Sequence, residues 1–181
     1  MSETYTGARR ADAREIAYTL RDLDTVLQSP ALGDRVDGIT ALRRQVLEVL
    51  TEINTDLESI DRINEADTFG TDPTLANQRI QLIRRVERAK IAYEFDIYPA
   101  LAGLTSKVLD QRKASPDQDE VVTSLTPERP GEPWTVRKVV GAAEQIISSA
   151  SKAAGILAKG YPLVRALGLL VGVALPPLPL A

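Results

Sequence analysis

An apolar residue at every third or fourth position, sustained over about seven helical turns, is the feature of this sequence that most restricts its fold. The series runs from Val36 to Ile60, and no proline interrupts it. Its members are Val36, Ile39, Leu42, Val46, Leu50, Ile53, Leu57 and Ile60. This spacing predicts one amphipathic helix from Arg35 to about Glu65, roughly 46 Å long at 1.5 Å per residue. Helices of that length are typical of bundles and rods.

The preceding segment predicts a shorter helix with the same spacing. Its apolar positions, between Gly7 and Gln28, are Ile16, Leu20, Leu23 and Leu27. Ser29-Pro30 is expected to end this helix, because proline disfavours helical geometry in the residue before it.

A third helix is predicted after Asp72-Pro73, a pair typical of an N-cap and the first helical position. Its apolar residues are Leu75, Ile80, Leu82, Ile83, Val86, Ile91 and Phe95. Pro99 is expected to kink or end it. The apolar residues that follow form either the far side of a kink or a short fourth helix; they are Leu101, Leu104, Val108 and Leu109. Phe69, in the turn before, is expected to plug the core. Tyr93, Phe95 and Tyr98 are expected to pack at the kink with the tyrosine hydroxyls at the surface.

Residues 114–133 lose this periodicity and contain four prolines and an acidic run, which predicts an exposed linker. Val121 and Val122 are expected to dock locally. A new helix with small side chains begins after Pro133, and Gly160-Tyr161-Pro162 is expected to break it. We therefore predict an all-α protein with three parts: an antiparallel up-down bundle of three to four long helices at 1–113, the linker at 114–133, and a cationic, apolar, small-residue-rich helical tail at 134–181.

Two residue types that perform much of enzyme chemistry are missing. The chain contains no cysteine and no histidine. Thiolate and imidazole catalysis, disulfides, and metal sites built from these side chains are therefore excluded. We expect a protein that is not an enzyme, with no cofactor, no metal and no small-molecule substrate.

Charge is distributed unevenly between the two ends of the chain. From Trp134 onward there are five basic residues and one acidic residue, a net charge of +4. Since the whole chain carries −3, residues 1–133 carry −7. An acidic body disfavours nucleic acid as a partner, whereas a cationic apolar tail fits an anionic membrane surface or an acidic groove on a protein.

The tail contains the most specific motif, Gly168 and Gly172 in Gly-x-x-x-Gly spacing, which lets apolar helices approach closely. The uncharged stretch from Ala166 has only ten residues before Pro176, too few to span a bilayer. The residues predicted to form a membrane or assembly site are Ala150, Ala154, Ala158, Leu163, Arg165, Leu167, Gly168, Leu170, Gly172 and Leu175. Three interpretations are open for this segment: insertion in a membrane interface, docking on a partner or a second copy, and burial as the central helix of its own bundle.

Two charged series have a simpler interpretation. The acidic residues Glu52, Asp56, Glu58, Asp61, Glu65 and Asp67 lack the spacing of a calcium loop and are expected to form a solvated helix face. The basic residues Arg79, Arg84, Arg85, Arg88 and Lys90 are expected to pair with acidic residues of neighbouring helices.

The sequence therefore predicts a cytoplasmic, non-enzymatic protein, peripheral to a membrane if the tail binds one, since no export signal is recognised. Its apolar C-terminal segment is expected to mediate membrane association or self-assembly as a homo-oligomer. The alternative is a soluble helical adaptor that binds a protein partner through the bundle surface or the tail. No family motif is recognised.

Overall fold

The structure is a computed structural model that describes residues 2–114, 120–122, 133–150 and 157–175. Its helices are α1 (Ser2–Val26), a 3-10 turn (Pro30–Arg35), α2 (Val36–Ala66), α3 (Pro73–Ala92), a π turn (Tyr93–Ile97), α4 (Tyr98–Lys113), α5 (Val136–Ala150) and α6 (Leu157–Leu170). The predicted all-α class is confirmed. The part of the predicted linker that lies at 115–119 and 123–132 falls outside the described residues.

The periodic apolar positions of the first helices form the core, as the spacing predicts. Ile16, Ile39 and Ile60 are fully buried or nearly so, and α2 has bounds within one residue of those predicted. The Asp72 carboxylate accepts hydrogen bonds from the backbone N–H groups of Thr74 and Leu75, so this residue is the N-cap of α3.

Cross-helix pairs show how the first helices run relative to one another. Arg10 of α1 pairs with Asp61 of α2, and Asp24 of α1 pairs with Arg43 of α2. The helices α1 and α2 are therefore antiparallel. On the other side of α2, Arg85 Nε lies 3.0 Å from Asp56, and Arg79 donates a hydrogen bond of 3.4 Å to Asn64. The earlier of these two α2 residues contacts the later of the two α3 residues, so α2 and α3 are antiparallel as well.

Three predictions about aromatic residues near the helix ends are wrong. Phe69 is 90% exposed and plugs nothing, because the turn is held by the Asp67 carboxylate, which accepts a hydrogen bond from the Thr71 N–H at 2.9 Å. Phe95 lies in the π turn and is also exposed. Tyr93 is fully buried, and its hydroxyl donates to Thr19 Oγ1 at 3.2 Å instead of reaching solvent; burial raises the pKa of Tyr93 to about 12.

Pro99 does not end the helical rod. The π turn at Tyr93–Ile97 precedes it, and α4 continues from Tyr98 to Lys113. A π turn changes which carbonyl each N–H meets, and so accommodates a proline whose missing N–H would leave a carbonyl one turn earlier unpaired.

Short backbone pairing joins the two sides of the predicted linker. The Val122 N–H donates to the Trp134 carbonyl at 2.7 Å, and the Val136 N–H donates to the Glu120 carbonyl at 3.0 Å. Residues 120–122 are therefore fixed beside the start of α5.

The helix α6 is largely buried. It packs against α1, α4 and α5, and its side chains join the same hydrophobic core as those of the first three helices. Val164, Ala166 and Leu167 are fully buried, and Leu163 and Leu170 are at most 2% exposed. A helix that is buried on most sides needs apolar residues on most sides.

The prediction that Gly160-Tyr161-Pro162 interrupts the C-terminal helix is wrong. All three residues lie inside α6, and Gly160 and Tyr161 are buried. Pro162 occupies the second turn of this helix, where its absent N–H removes one intrahelical hydrogen bond and leaves the remaining turns intact.

Candidate interaction surface

The predicted tail-site leucines Leu163, Leu167 and Leu170 are in the core, and Gly168, Gly172 and Leu175 lie at the end of α6. Leu163, Leu167 and Leu170 face α1, α4 and α5 from within the core. Ala154 lies outside the described residues, as do the side chains of Ala150 and Ala158.

Gly168 and Gly172 take part in the end of α6. Gly172 has a φ of +75°, and its N–H donates to the Leu169 carbonyl at 3.2 Å, while the Val173 N–H donates to the Gly168 carbonyl at 2.8 Å. These two bonds form a Schellman motif with Gly172 at C′. Leu175 returns over Gly168 so closely that a Cβ there would lie 2.9 Å from Leu175 Cδ1.

Ser29, in the turn after α1, and Arg112 of α4 bind carbonyls at the C-terminal end of α6. Ser29 Oγ donates to the Val171 carbonyl at 3.0 Å, and Arg112 Nε donates to the Leu170 carbonyl at 2.7 Å. They also line a cleft of about 570 Å³ beside this end of the helix. Because both groups already bind backbone carbonyls, we assign the cleft no ligand.

Arg165 of α6 lies near a buried acidic residue of α1. Asp22 of α1 is fully buried and bonded to the Arg21 guanidinium at 2.9 Å. Burial raises the pKa of Asp22, while Arg21 and Arg165 act in the opposite direction. Arg165 therefore supplies positive charge to an acidic site within the protein.

The acidic series of α2 is only partly a solvated face. Asp56 is 2% exposed and ion-paired with Arg85, and burial raises its pKa. Asp67 is buried in the turn, and Asp61 pairs with Arg10 of α1. Within the ranges that the structure describes, no group of three acidic side chains converges as metal ligands would.

The basic series of α3 divides into paired and unpaired residues. Arg85 pairs with Asp56 of α2 as expected, and Lys90 pairs with Glu94 in the π turn. Arg79 bonds instead to the amide oxygen of Asn64 of α2. Arg84 and Arg88 are exposed, and the described part of the chain offers neither of them an acidic partner within 4 Å.

These two arginines lie among exposed apolar residues on the outer side of α3. Ile80 is 44% exposed, Ile91 51% and Phe95 68%. At 100° per residue, the four positions on α3 fall within a sector of about 80°, on the side opposite the buried Val86 and Ala89, and the exposed Phe95 follows in the π turn. We call Ile80, Arg84, Arg88, Ile91 and Phe95 the α3 stripe.

Sequence reasoning missed this surface because it counted Ile80, Ile91 and Phe95 with the core positions of the helix. A signal was present. Val86 and Tyr93 are seven residues apart and lie on one face, while Ile80, Ile91 and Phe95 form a second apolar line with arginines interleaved. One helix with two apolar faces indicates one face for the core and one for a partner.

A groove lies between α2 and α3, alongside the α3 stripe. Its volume is about 460 Å³. The residues that line it are Ser59, Arg62, Ile63, Gln78, Gln81, Leu82 and Arg85. Gln81 and Arg84 are three residues apart, as are Arg85 and Arg88, so each pair is adjacent on the helix surface and the groove borders the arginines of the stripe.

The comparisons with known proteins give no relative. No protein-family model, no curated protein and no solved structure matches this chain. Among the helices that the structure describes, none combines the length and the apolar character needed to cross a bilayer. The α3 stripe offers apolar area and two arginines that have no acidic partner among the described residues, a combination found at binding surfaces.

Proposed function

We propose that this protein is a non-enzymatic helical interaction module that binds a protein partner through the α3 stripe. The observation that carries the proposal is the placement of Ile91 and Phe95 in solvent while the apolar helix α6 is used inside the molecule. Large apolar side chains grouped on one exposed helix face are typical of binding surfaces.

The fold supports this role by providing a firm base for the surface. The antiparallel pairs α1–α2 and α2–α3, and the burial of α6, support an up-down bundle that includes the apolar C-terminal helix. Glu87, next to the stripe, accepts a hydrogen bond from the Tyr5 hydroxyl at 3.0 Å, so α3 is attached to α1 beneath its outer face.

A role of the C-terminal segment in membrane association or self-assembly is the second proposal. Its apolar composition and cationic balance favour it. It requires α6 to leave the core, which exposes Leu163, Leu167 and Leu170 at a cost of about 1.5–3 kcal/mol each before they find a new apolar environment. We therefore favour the α3 stripe over the C-terminal segment as the binding surface, because the stripe is already exposed.

Site-specific photo-crosslinking of the full chain in its native cell tests the first proposal. A photoreactive residue replaces Ile91 in one variant and Leu47 in a control variant. Leu47 is 41% exposed on α2, and it lies nine residues from Asp56, which at 100° per residue puts it on the side of α2 away from α3.

We expect one protein to be crosslinked from position 91 and not from position 47. Substituting Phe95→Ala in the position-91 variant should reduce the yield of that product severalfold, because it removes the most exposed apolar contact of the stripe. Equal products from positions 91 and 47, or products unaffected by Phe95→Ala, would contradict the proposal. Flotation of the full chain with liposomes would favour the second proposal instead.

A further inference from the structure

The chemistry of the partner can be inferred from the charges and the shape of the surface around the α3 stripe. Arg84 and Arg88 stand between Ile80 on one side and Ile91 on the other, and the described residues give them no acidic partner. An unpaired arginine beside apolar area binds best to a carboxylate on an otherwise apolar surface.

The shape indicates a helix. From Ile80 to Phe95 the stripe extends for about 22 Å, or about four helical turns. The groove between α2 and α3 lies beside the first half of the stripe, with the partly buried Ile63 and Leu82 and the exposed Arg62 and Arg85 in its lining. A partner helix lying along α3 can place one apolar side chain in this groove and its carboxylates near the arginines.

The stripe of a second copy is a poor partner for this stripe. If two stripes pair in parallel, each arginine faces the same arginine of the other copy. If they pair antiparallel about the centre of the stripe, the two Arg88 side chains lie next to each other. Like charges placed together in an apolar contact oppose association, so pairing of two stripes is disfavoured and a partner surface of opposite charge fits better.

An anionic membrane fits less well than an acidic protein segment. Residues 1–133 carry a net charge of −7, which repels an anionic surface over a distance comparable to the Debye length of about 8 Å. Arg84 and Arg88 are a local positive area on this acidic body, which suits a narrow segment better than a plane.

We propose that the partner docks on the α3 stripe through an amphipathic, acidic α-helix that places an apolar anchor in the groove between α2 and α3. This inference rests on the proposed function and adds the chemical class of the partner segment. Binding follows from apolar burial along Ile80, Ile91 and Phe95, and its direction and specificity follow from carboxylates that reach Arg84 and Arg88.

The test uses the full chain and two designed helical peptides of eighteen residues. One carries leucines at helix spacing with glutamates beside them, and the other has the same leucines with lysines in place of the glutamates. We expect fluorescence anisotropy to show that the glutamate peptide binds at least tenfold more tightly than the lysine peptide, and that salt weakens its binding.

Charge reversal of the protein identifies the residues. The double variant Arg84→Glu, Arg88→Glu should lose at least tenfold in affinity for the glutamate peptide and gain affinity for the lysine peptide. Arg44→Glu is the matched control, since Arg44 is exposed on α2 and has no acidic partner within 4 Å in the described chain. Its affinities should change less than twofold.

A second pair of variants tests the groove. Ser59 lines it, and its hydroxyl donates to the carbonyl four residues earlier, as the hydroxyl of Thr51 does on the exposed side of α2. Ser59→Phe fills the groove and should weaken glutamate-peptide binding severalfold, whereas Thr51→Phe should not.

Several outcomes overturn the inference. These are no binding of the glutamate peptide, equal binding of both peptides, binding unchanged by the double charge reversal, or binding unchanged by Ser59→Phe. Cosedimentation with phosphatidylserine vesicles that requires Arg84 and Arg88 would assign the stripe to a membrane, and a dimer mass that requires them would assign it to a second copy. If crosslinking from position 91 succeeds while the peptides fail, only the partner's chemistry is wrong, whereas failure of the crosslinking removes the proposed function.

Discussion

Gly160 of α6 lies directly against the Tyr93 hydroxyl at the junction of α3 and α4, and a Cβ at this glycine would overlap that oxygen. Thr19 of α1 accepts the hydrogen bond of the same hydroxyl at 3.2 Å. Three helices therefore meet at one polar contact that only a residue without a side chain allows.

The contact predicts that Gly160→Ala destabilises the protein by about 1–3 kcal/mol, since overpacking forces neighbouring atoms to move. Urea unfolding followed by circular dichroism measures the loss. Adding Tyr93→Phe should recover part of it, because the phenylalanine removes the oxygen that the new methyl group meets. A double variant no more stable than Gly160→Ala would contradict this explanation.

Gly141→Ala is the matched control. Gly141 lies in α5 with no heavy atom within 4 Å of the position that a Cβ would take. Alanine there should stabilise the protein by about 0.5–1 kcal/mol through its higher helix propensity.

Because Leu163, Leu167 and Leu170 of α6 are buried, they should contribute much of the free energy of unfolding. Leu167→Ala should cost about 2–5 kcal/mol, as expected for a fully buried leucine. Phe69→Ala is the control, since a side chain that is 90% exposed should change stability by less than about 0.5 kcal/mol. Thermal unfolding of both variants gives the comparison, and equal effects would mean that α6 does not belong to the cooperative core.

These elements also show how far the sequence predicts the fold. The extent of α2 and the N-cap at Asp72 follow from spacing and capping chemistry, both of which are local. The place of α6 does not, because an apolar helix with one arginine has no polar face that indicates which way it points. Its neighbours on α1, such as Asp22, are more than a hundred residues away in sequence.

Pro162 and Phe95 are two positions at which the local sequence does not predict the structure. Proline usually ends a helix, but packing against α1 and α4 keeps α6 helical through Pro162. Phe95 has the spacing of a core residue but lies in the π turn and is exposed. The buried side of this part of the chain is the one that carries Val86 and Tyr93. The candidate surface was therefore not predicted from the sequence, although its residues were visible there.

The end of α6 gives a third prediction. Gly172→Ala should destabilise the protein by about 1 kcal/mol, because its φ of +75° is unfavourable for a residue with a Cβ. Gly103→Ala, at an exposed position inside α4 with open space around it, should stabilise it slightly. Denaturant midpoints that shift in the same direction for both variants would be evidence against the capping role of Gly172.

Asp22 predicts how stability depends on pH. Burial is the largest cause of the raised pKa of this carboxyl, which exceeds the ordinary value of 3.8. The folded state therefore binds the proton more tightly than the unfolded state does. The resulting stabilisation is complete below pH 3.8 and is lost as the pH rises through the raised pKa of the folded state.

Asn has no charge to desolvate, so Asp22→Asn should be more stable than the wild type at pH 7, with a difference that shrinks as the pH falls toward 4. Denaturant unfolding of both proteins between pH 4 and pH 8 measures this difference. Asp34→Asn, at an exposed position, should differ from the wild type by less than about 0.5 kcal/mol at each pH. If Asp22→Asn is instead less stable throughout this range, attraction to Arg21 and Arg165 outweighs the cost of burial, and the charged form of Asp22 is what holds α6 against α1.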